Sequence, residues 1–149
     1  MKSKNIKISS YFPTSTEVVW SKLQEFETLS TITKPHISFK AKSNKKFKWH
    51  EGKKYLFKLR LYKIIPAGEH EIYVDNIDKE NYEIQTYERN KIVTTWNHLI
   101  KLEGQKNGNT LYTDYVEIYA GIFTGLVACW SRFFYKCRQK KWIKILEEN

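Results

Sequence analysis

From Thr110 onward the chain carries a single instruction. A run rich in β-branched and aromatic residues, Thr110–Tyr119, passes through Ala120-Gly121 straight into a helical periodicity that lasts from about Ile122 to Glu147. Phe123, Leu126, Val127, Trp130, Phe134, Cys137 and Ile145 fall within one stripe at helical spacing. The only other helical patterns are short, and the rest of the chain alternates as strands do. A sheet that must cover one long helix wraps it, and a sheet closed over a single helix encloses space. The sequence therefore points to an apolar molecule held inside, and says less about chemistry.

The 149 residues suffice for one domain with a real core, taken here as residues 1–149, and are too few for two. Aromatic residues make up 15% of the chain, including 10 tyrosines and 5 tryptophans. Their broad apolar faces and polar tips suit a lined cavity as well as a core. Met1–Phe12 lacks the continuous apolar run of a signal peptide, and Ile118–Trp130 falls short of the roughly 20 residues of a bilayer span. Cys129 and Cys137 lie on the same predicted helix, roughly 12 Å apart by its rise, which is too far for a disulfide. They read as reduced thiols with no histidine placed to activate them, and the expected location is cytoplasmic. The net charge of +10 comes mainly from dispersed lysines, dense at Lys40–Lys54 and Arg138–Lys144. No motif for specific nucleic-acid recognition accompanies them, so they leave room only for weak contact with an anionic surface.

Asn5–Tyr11 reads as a first strand, ended by Pro13. Thr14 and Glu17 have the spacing of a capping box, opening a helix that buries Val19, Trp20, Leu23 and Phe26. A second short helical turn follows at Leu29–Thr33, and Pro35 closes the section. Six strands come next: His36–Ala41, Tyr55–Ile64, Glu69–Ile77, Tyr82–Glu88, Thr94–Leu102 and Thr110–Tyr119, with Pro66-Ala67-Gly68 making one of the turns. Such short connections imply an antiparallel meander. The expected fold class is α+β: a curved antiparallel seven-stranded sheet around a long C-terminal helix, with two short helices after the first strand.

Thr95-Trp96-Asn97-His98-Leu99-Ile100, Thr110-Leu111-Tyr112-Thr113-Asp114 and Glu117-Ile118-Tyr119-Ala120-Gly121, together with Val19-Trp20-Ser21-Lys22-Leu23, resemble the START-like (SRPBCC) superfamily of polyketide cyclases and birch-pollen-allergen-like proteins. The resemblance spans essentially the whole chain and implies the helix-grip fold. It specifies function poorly, since the superfamily includes lipid carriers, hormone receptors, cyclases and dehydratases. By what it implies, the cavity mouth is framed by Ile65–Gly68, Arg89–Ile92 and Tyr119–Phe123. Lys42, Lys45, Lys46, Lys48, Lys106, Arg138, Lys140 and Lys141 then gather at the opposite, closed pole.

Strand alternation selects the inward side chains. If Ile72, Val74 and Ile84 face in, so do His70, Thr86 and Glu88. Hairpin loops of about five residues set Ile72 opposite Thr86, His70 opposite Glu88, Ile100 opposite Tyr112, His98 opposite Asp114 and Trp96 beside Val116. A literal Asn107-Gly108 turn would instead place His98 across from Glu117 and turn Asp114 outward. Each His–carboxylate pair has three readings: a buried hydrogen-bonded pair of structural role, a ligand-orienting pair, or an acid–base catalyst. The residues expected to meet a ligand are Trp20, Phe57, Leu59, His70, Ile72, Val74, Thr86, Glu88, Trp96, His98, Asp114, Phe123, Val127, Trp130 and Phe134. His36 and His50 are read as exposed. No metal-ligand spacing or glycine-rich phosphate loop is present, and neither metal nor cofactor is expected.

Three functions compete. The first is a carrier or sensor of a small hydrophobic molecule such as a lipid, quinone or aromatic. The second is a cyclase- or dehydratase-like enzyme with His98 and Asp114, or His70 and Glu88, as candidate catalysts. The third is a module docking an anionic membrane or nucleic acid through a basic pole. On the helix, the grip on the sheet is expected to end near Cys137–Arg138.

Overall fold

The computed structural model describes residues 2–41 and 46–148. The chain runs β1 (Lys4–Phe12), α1 (Thr16–Leu23), α2 (Phe26–Thr33), β2 (Ile37–Ala41), β3 (Lys54–Leu61), β4 (Ile65–Asp78), β5 (Glu83–Arg89), β6 (Thr95–Gly104), β7 (Thr110–Tyr119) and α3 (Thr124–Glu147), with a 3-10 turn at Gly121–Phe123 before α3. The strands form one seven-stranded antiparallel sheet in the order β1-β7-β6-β5-β4-β3-β2. Strands β2 to β7 are a meander, and β1 returns to pair with β7. Alternation marks the inner face: Tyr55, Phe57 and Leu59 on β3, His70, Ile72 and Val74 on β4, and Trp96, His98, Ile100 and Leu102 on β6 are buried. This is the helix-grip architecture that the order of elements implied.

Two aromatic cores hold the layers together. Phe26 of α2 stacks on Phe47 and on Phe57 of β3, with centroids 4.7 and 5.2 Å apart. At the other core, Phe12 stacks on Tyr112 at 4.6 Å, and Val19, Trp20, Leu23, Ile32, Ile84, Trp142 and Leu146 join them. Stacked rings of this kind contribute about 0.5–1.5 kcal/mol beyond their buried area.

Several local expectations are corrected. Ser15, not Thr14, caps α1: its side chain accepts the Val18 N–H, and Glu17 instead bonds Lys79. Pro66-Ala67-Gly68 is not a turn but a bulge inside β4, where the β3 register shifts between Leu59 and Arg60. Gly68, at φ 79°, supplies the left-handed residue that such a bulge needs. The turn lies earlier, at Tyr62 and Lys63, with φ of 51° and 67°. Neither residue is a turn former, so nothing in the sequence marked it. The register of β6 on β7 is displaced by two residues, pairing His98 with Val116, Ile100 with Asp114 and Trp96 with Ile118. The even shift preserves facing, and Asp114 stays inside. A second bulge, between Val74 and Asn76, sets Ile72 opposite Glu88 and Val74 opposite Thr86.

The face of α3 is also rotated from the expected stripe. Its buried residues are Thr124, Ala128, Ser131, Phe134, Tyr135, Arg138, Gln139, Trp142 and Leu146, while Phe123 and Leu126 are 52% and 72% exposed. The grip does not end near Cys137–Arg138 but continues to Leu146. Gln139 is the reason: its Nε2 donates to the Ile8 carbonyl at 2.8 Å, and its Oε1 accepts from Ser10 Oγ at 2.6 Å, which fixes the helix on β1. Small Ala128 and Ser131 on the same face suit a close approach of helix to sheet.

Candidate functional site

Between the sheet, α2 and α3 lies a cavity of about 510 Å³. Its wall runs from Leu126 and Val127 along α3 to Arg138 and Trp142. Sixteen residue steps at about 1.5 Å each make that wall roughly 24 Å long. Tyr62, Ile92 and Leu126 belong to the wall yet are 46%, 63% and 72% exposed, so the cavity meets solvent there. Leu23, Ile32, Ile84, Ile100 and Trp142 line it too and are buried in the second aromatic core, which floors the closed end.

Of the residues expected to meet a ligand, the wall brings together Leu59, His70, Ile72, Val74, Thr86, Glu88, Trp96, His98, Val127, Trp130 and Phe134. The other four lie elsewhere. Trp20 is in the second core, Phe57 is stacked behind the wall against Phe26, Phe123 is half exposed, and Asp114 sits behind His98. The wall also contains residues that sequence reasoning missed, chiefly Tyr135, Arg138 and Trp142. Arg138 was expected at a charged pole, but it is only 6% exposed. His36 is half-buried rather than exposed, with its ring edge against Tyr62 and Phe133. Lys42 and Lys45 of the expected basic pole lie outside the described residues.

A chain of polar groups runs across the inner face of the sheet, and its members Asn90, His70, Thr86, Glu88 and His98 are themselves part of the wall. Asn90 Nδ2 donates to His70 Nδ1 at 3.1 Å, and His70 Nε2 then donates to Glu88 Oε1 at 2.9 Å. Thr86 Oγ1 donates to Glu88 Oε2 at 3.0 Å, and His98 Nδ1 lies 3.7 Å from the same oxygen. On its other side His98 Nε2 donates to Asp114 Oδ1 at 2.6 Å. Gln139 Nε2 donates to Asp114 Oδ2 at 2.9 Å, and Tyr112 OH reaches Oδ1 at 3.3 Å. The expected His70–Glu88 and His98–Asp114 contacts thus form, diagonally across the strands rather than directly opposite, and Glu88 joins them into one network.

Electrostatics follow from that geometry. Burial opposes ionisation of Glu88, but bonds from His70 and His98 outweigh it and hold the carboxyl well below the usual range. Burial likewise opposes ionisation of Asp114, and His98, Arg138 and Gln139 overcome it. For His98 burial disfavours the imidazolium, yet Asp114 and Glu88 on its two nitrogens raise its pKa above the ordinary value. Tyr112 and Tyr135 are pushed upward, first by burial, and stay neutral phenols. The core thus places two carboxylates around the His98 ring, with the Arg138 guanidinium nearby. Among the described residues no three His, Cys, Asp or Glu side chains form a metal-binding group, and no helix is long and apolar enough to cross a membrane.

Comparison with known proteins bears on the fold alone. No family model and no curated protein sequence matches the chain. Solved structures do. Protein Ms6760 from Mycobacterium smegmatis superposes with a TM-score of 0.72 at 10% identity, covering 98% of this chain and 96% of that one. Protein CV1439 from Chromobacterium violaceum gives 0.74 at 12% identity, covering 96% of each chain. Ara h 8.0201 gives 0.65 at 14% identity, covering 99% of each. The chain shares the helix-grip fold of these three structures.

Proposed function

We propose that this protein binds a small, largely apolar molecule in the cavity between sheet and long helix, as an intracellular carrier or sensor. The observation that carries the reading is the cavity itself: about 510 Å³, walled by side chains such as Leu59, Ile72, Val74, Trp96, Val127 and Trp130, with few polar groups. That is the composition of a ligand pocket. A lipid, a quinone or an aromatic compound fits this description, and the exposed rim at Tyr62, Ile92 and Leu126 serves as its entrance. The dispersed lysines outside are read as a solvated surface with weak affinity for anionic surfaces.

The polar chain favours a structural and orienting role over acid–base catalysis. His98 turns Nε2 to Asp114 and Nδ1 toward Glu88, so both ring nitrogens are directed at carboxylates and His98 is not poised as a general base. Its partners explain why the carboxylates of this chain tolerate burial: Glu88 and Asp114 each face a histidine and accept from neutral donors.

Native mass spectrometry of protein purified from cells, followed by denaturing extraction, tests the binding reading. A discrete mass adduct released as an apolar compound supports it. Protein that carries no adduct, and acquires none when incubated with a panel of lipids, quinones and aromatics, contradicts it.

A further inference from the structure

Twelve large apolar side chains stand exposed among the described residues, and six of them fall on two connections: Tyr62, Ile64 and Ile65 after β3, and Ile122, Phe123 and Leu126 after β7. Strands β3 and β7 are four antiparallel steps apart in the sheet, so they run the same way and these two connections share one end of the molecule. Ile64 and Ile122, at 77% and 78%, are the most exposed of all. Scattered apolar residues on a surface are ordinary, but a concentration of this kind marks a contact surface. Contacts join the two groups. Trp130 Nε1 donates to Tyr62 OH at 3.4 Å, and the His36 ring meets both Tyr62 and Phe133 edge-on, at 5.7 and 5.4 Å.

The charge on this face has one sign. From Ile118 to Leu146 the sequence holds six lysines and arginines and no aspartate or glutamate, and Arg60–Gly68 holds two and none. Arg132, Lys136, Lys140 and Lys144 recur at every fourth residue and are exposed along about 18 Å of α3. Leu126, Phe133 and Lys140 follow one another at two-turn intervals, which puts apolar and cationic residues on the same side of the helix, away from buried Ala128, Tyr135 and Trp142. Among the described residues, neither those four cations nor Lys63 forms an ion pair. Lys141, half-buried beside them, has its pKa lowered first by burial and then by Lys63 and Lys144, so the turn and the helix bring their cations together. Like charges four residues apart weaken a helix, and an external anion relieves that repulsion.

A row of cations alone suits nucleic-acid phosphates and lipid phosphates alike. The aliphatic side chains beside it decide between them. They gain by entering the boundary of a bilayer, whereas single-stranded nucleic acid is held by aromatic stacking.

We propose that the outer face of α3 and the β3–β4 turn dock on an anionic phospholipid surface, with Ile64, Ile65, Ile122 and Leu126 entering the interface and Lys63, Arg132, Lys136 and Lys140 facing lipid phosphates. The contact is peripheral, since among the described residues no helix is long and apolar enough to cross a membrane. Tyr62 and Leu126 also belong to the cavity wall, so the docked face is the one on which the cavity opens. Docking does not require a filled cavity and stands or falls apart from the apolar-ligand reading.

The test is co-sedimentation of the whole protein with sucrose-loaded vesicles, made of phosphatidylcholine alone or with one third phosphatidylglycerol. The protein is expected to partition onto the anionic vesicles at least about tenfold more strongly than onto the neutral ones. Arg132→Glu with Lys136→Glu, and separately Ile64→Ser with Ile122→Ser, should each lower that partition at least about tenfold. Lys53→Glu with Lys106→Glu makes the same charge change at exposed positions on the other end of the sheet, and should lower it by less than about threefold. Equal binding to both vesicle types, or equal losses in the two glutamate pairs, overturns the docked face. Binding to an oligothymidylate but to neither vesicle assigns the row of cations to nucleic acid and overturns it as well. Should a variant fail to fold, quenching of tryptophan fluorescence by brominated phosphatidylglycerol in the unmodified protein decides. Quenching supports insertion of the face around Trp130, and its absence overturns it.

Discussion

Gln139 Nε2 donates to Asp114 Oδ2 at 2.9 Å, so the carboxylate that faces His98 from the sheet is fixed from the long helix. The same amide also holds the β1 backbone at Ile8. One side chain therefore sets both the rotation of α3 and the charge pattern behind the cavity. Replacing it affects position and electrostatics at once.

Gln139→Leu is expected to lower stability by about 2 kcal/mol, because it leaves Asp114 Oδ2 and the Ile8 carbonyl short of donors in a dry region. Urea unfolding with an unchanged slope and a lower midpoint is the expected outcome. A change within about 0.5 kcal/mol would show that the helix is held by its apolar contacts alone.

Asp114→Asn should cost about 2–3 kcal/mol, since it leaves His98 with Glu88 as its sole carboxylate, at 3.7 Å. The variant should also lower the His98 pKa, read from its imidazole resonances during a pH titration. An unmoved His98 titration would mean that Asp114 does not hold its proton.

The signs of the shifts fix the pH profile. Glu88 and Asp114 titrate below their ordinary values of 4.5 and 3.8, so their contribution is complete above about pH 5 and is lost as pH falls through the depressed values. His98 titrates above its ordinary 6.5, so its contribution is complete below about pH 6 and is lost as pH rises through the elevated value. Unfolding midpoints should peak at about pH 5–6 and decline on both sides. In His98→Gln the alkaline decline should flatten, and a profile identical to the parent's would refute the assignment.

Phe123→Ser should change stability by no more than about 0.5 kcal/mol, because the ring is 52% exposed and off the cavity wall. Trp130→Ala should cost roughly 3 kcal/mol, since that ring lines the cavity and stacks on Phe134 with centroids 5.1 Å apart. Thermal unfolding of the two variants side by side separates rim from wall.

How far the sequence carried varied by level. The bounds of β7 and the inward facing of His70, Glu88, His98 and Asp114 were legible, because alternation fixes parity wherever one face is buried. The pairings were each off by two, since that displacement depends on bulges and loop shape rather than on polarity. The rotation of α3 was illegible for a different reason. Its apolar stripe pointed to Phe123 and Leu126, which are exposed in the fold, while Arg138 and Gln139 look like surface residues to any hydropathy argument. Only their partners, the Tyr135 ring, the Ile8 carbonyl and Asp114, explain their burial.

The account stands on the cavity accepting an apolar molecule. Saturation binding of N-phenyl-1-naphthylamine to the parent and to Ala67→Trp, a plug in the cavity wall, tests this most directly. The account predicts one saturable site in the parent and at least about tenfold weaker binding in the variant, a difference of about 1.4 kcal/mol, with the unfolding midpoint retained. Equal affinity in the two proteins, or no saturable binding in the parent, would contradict it.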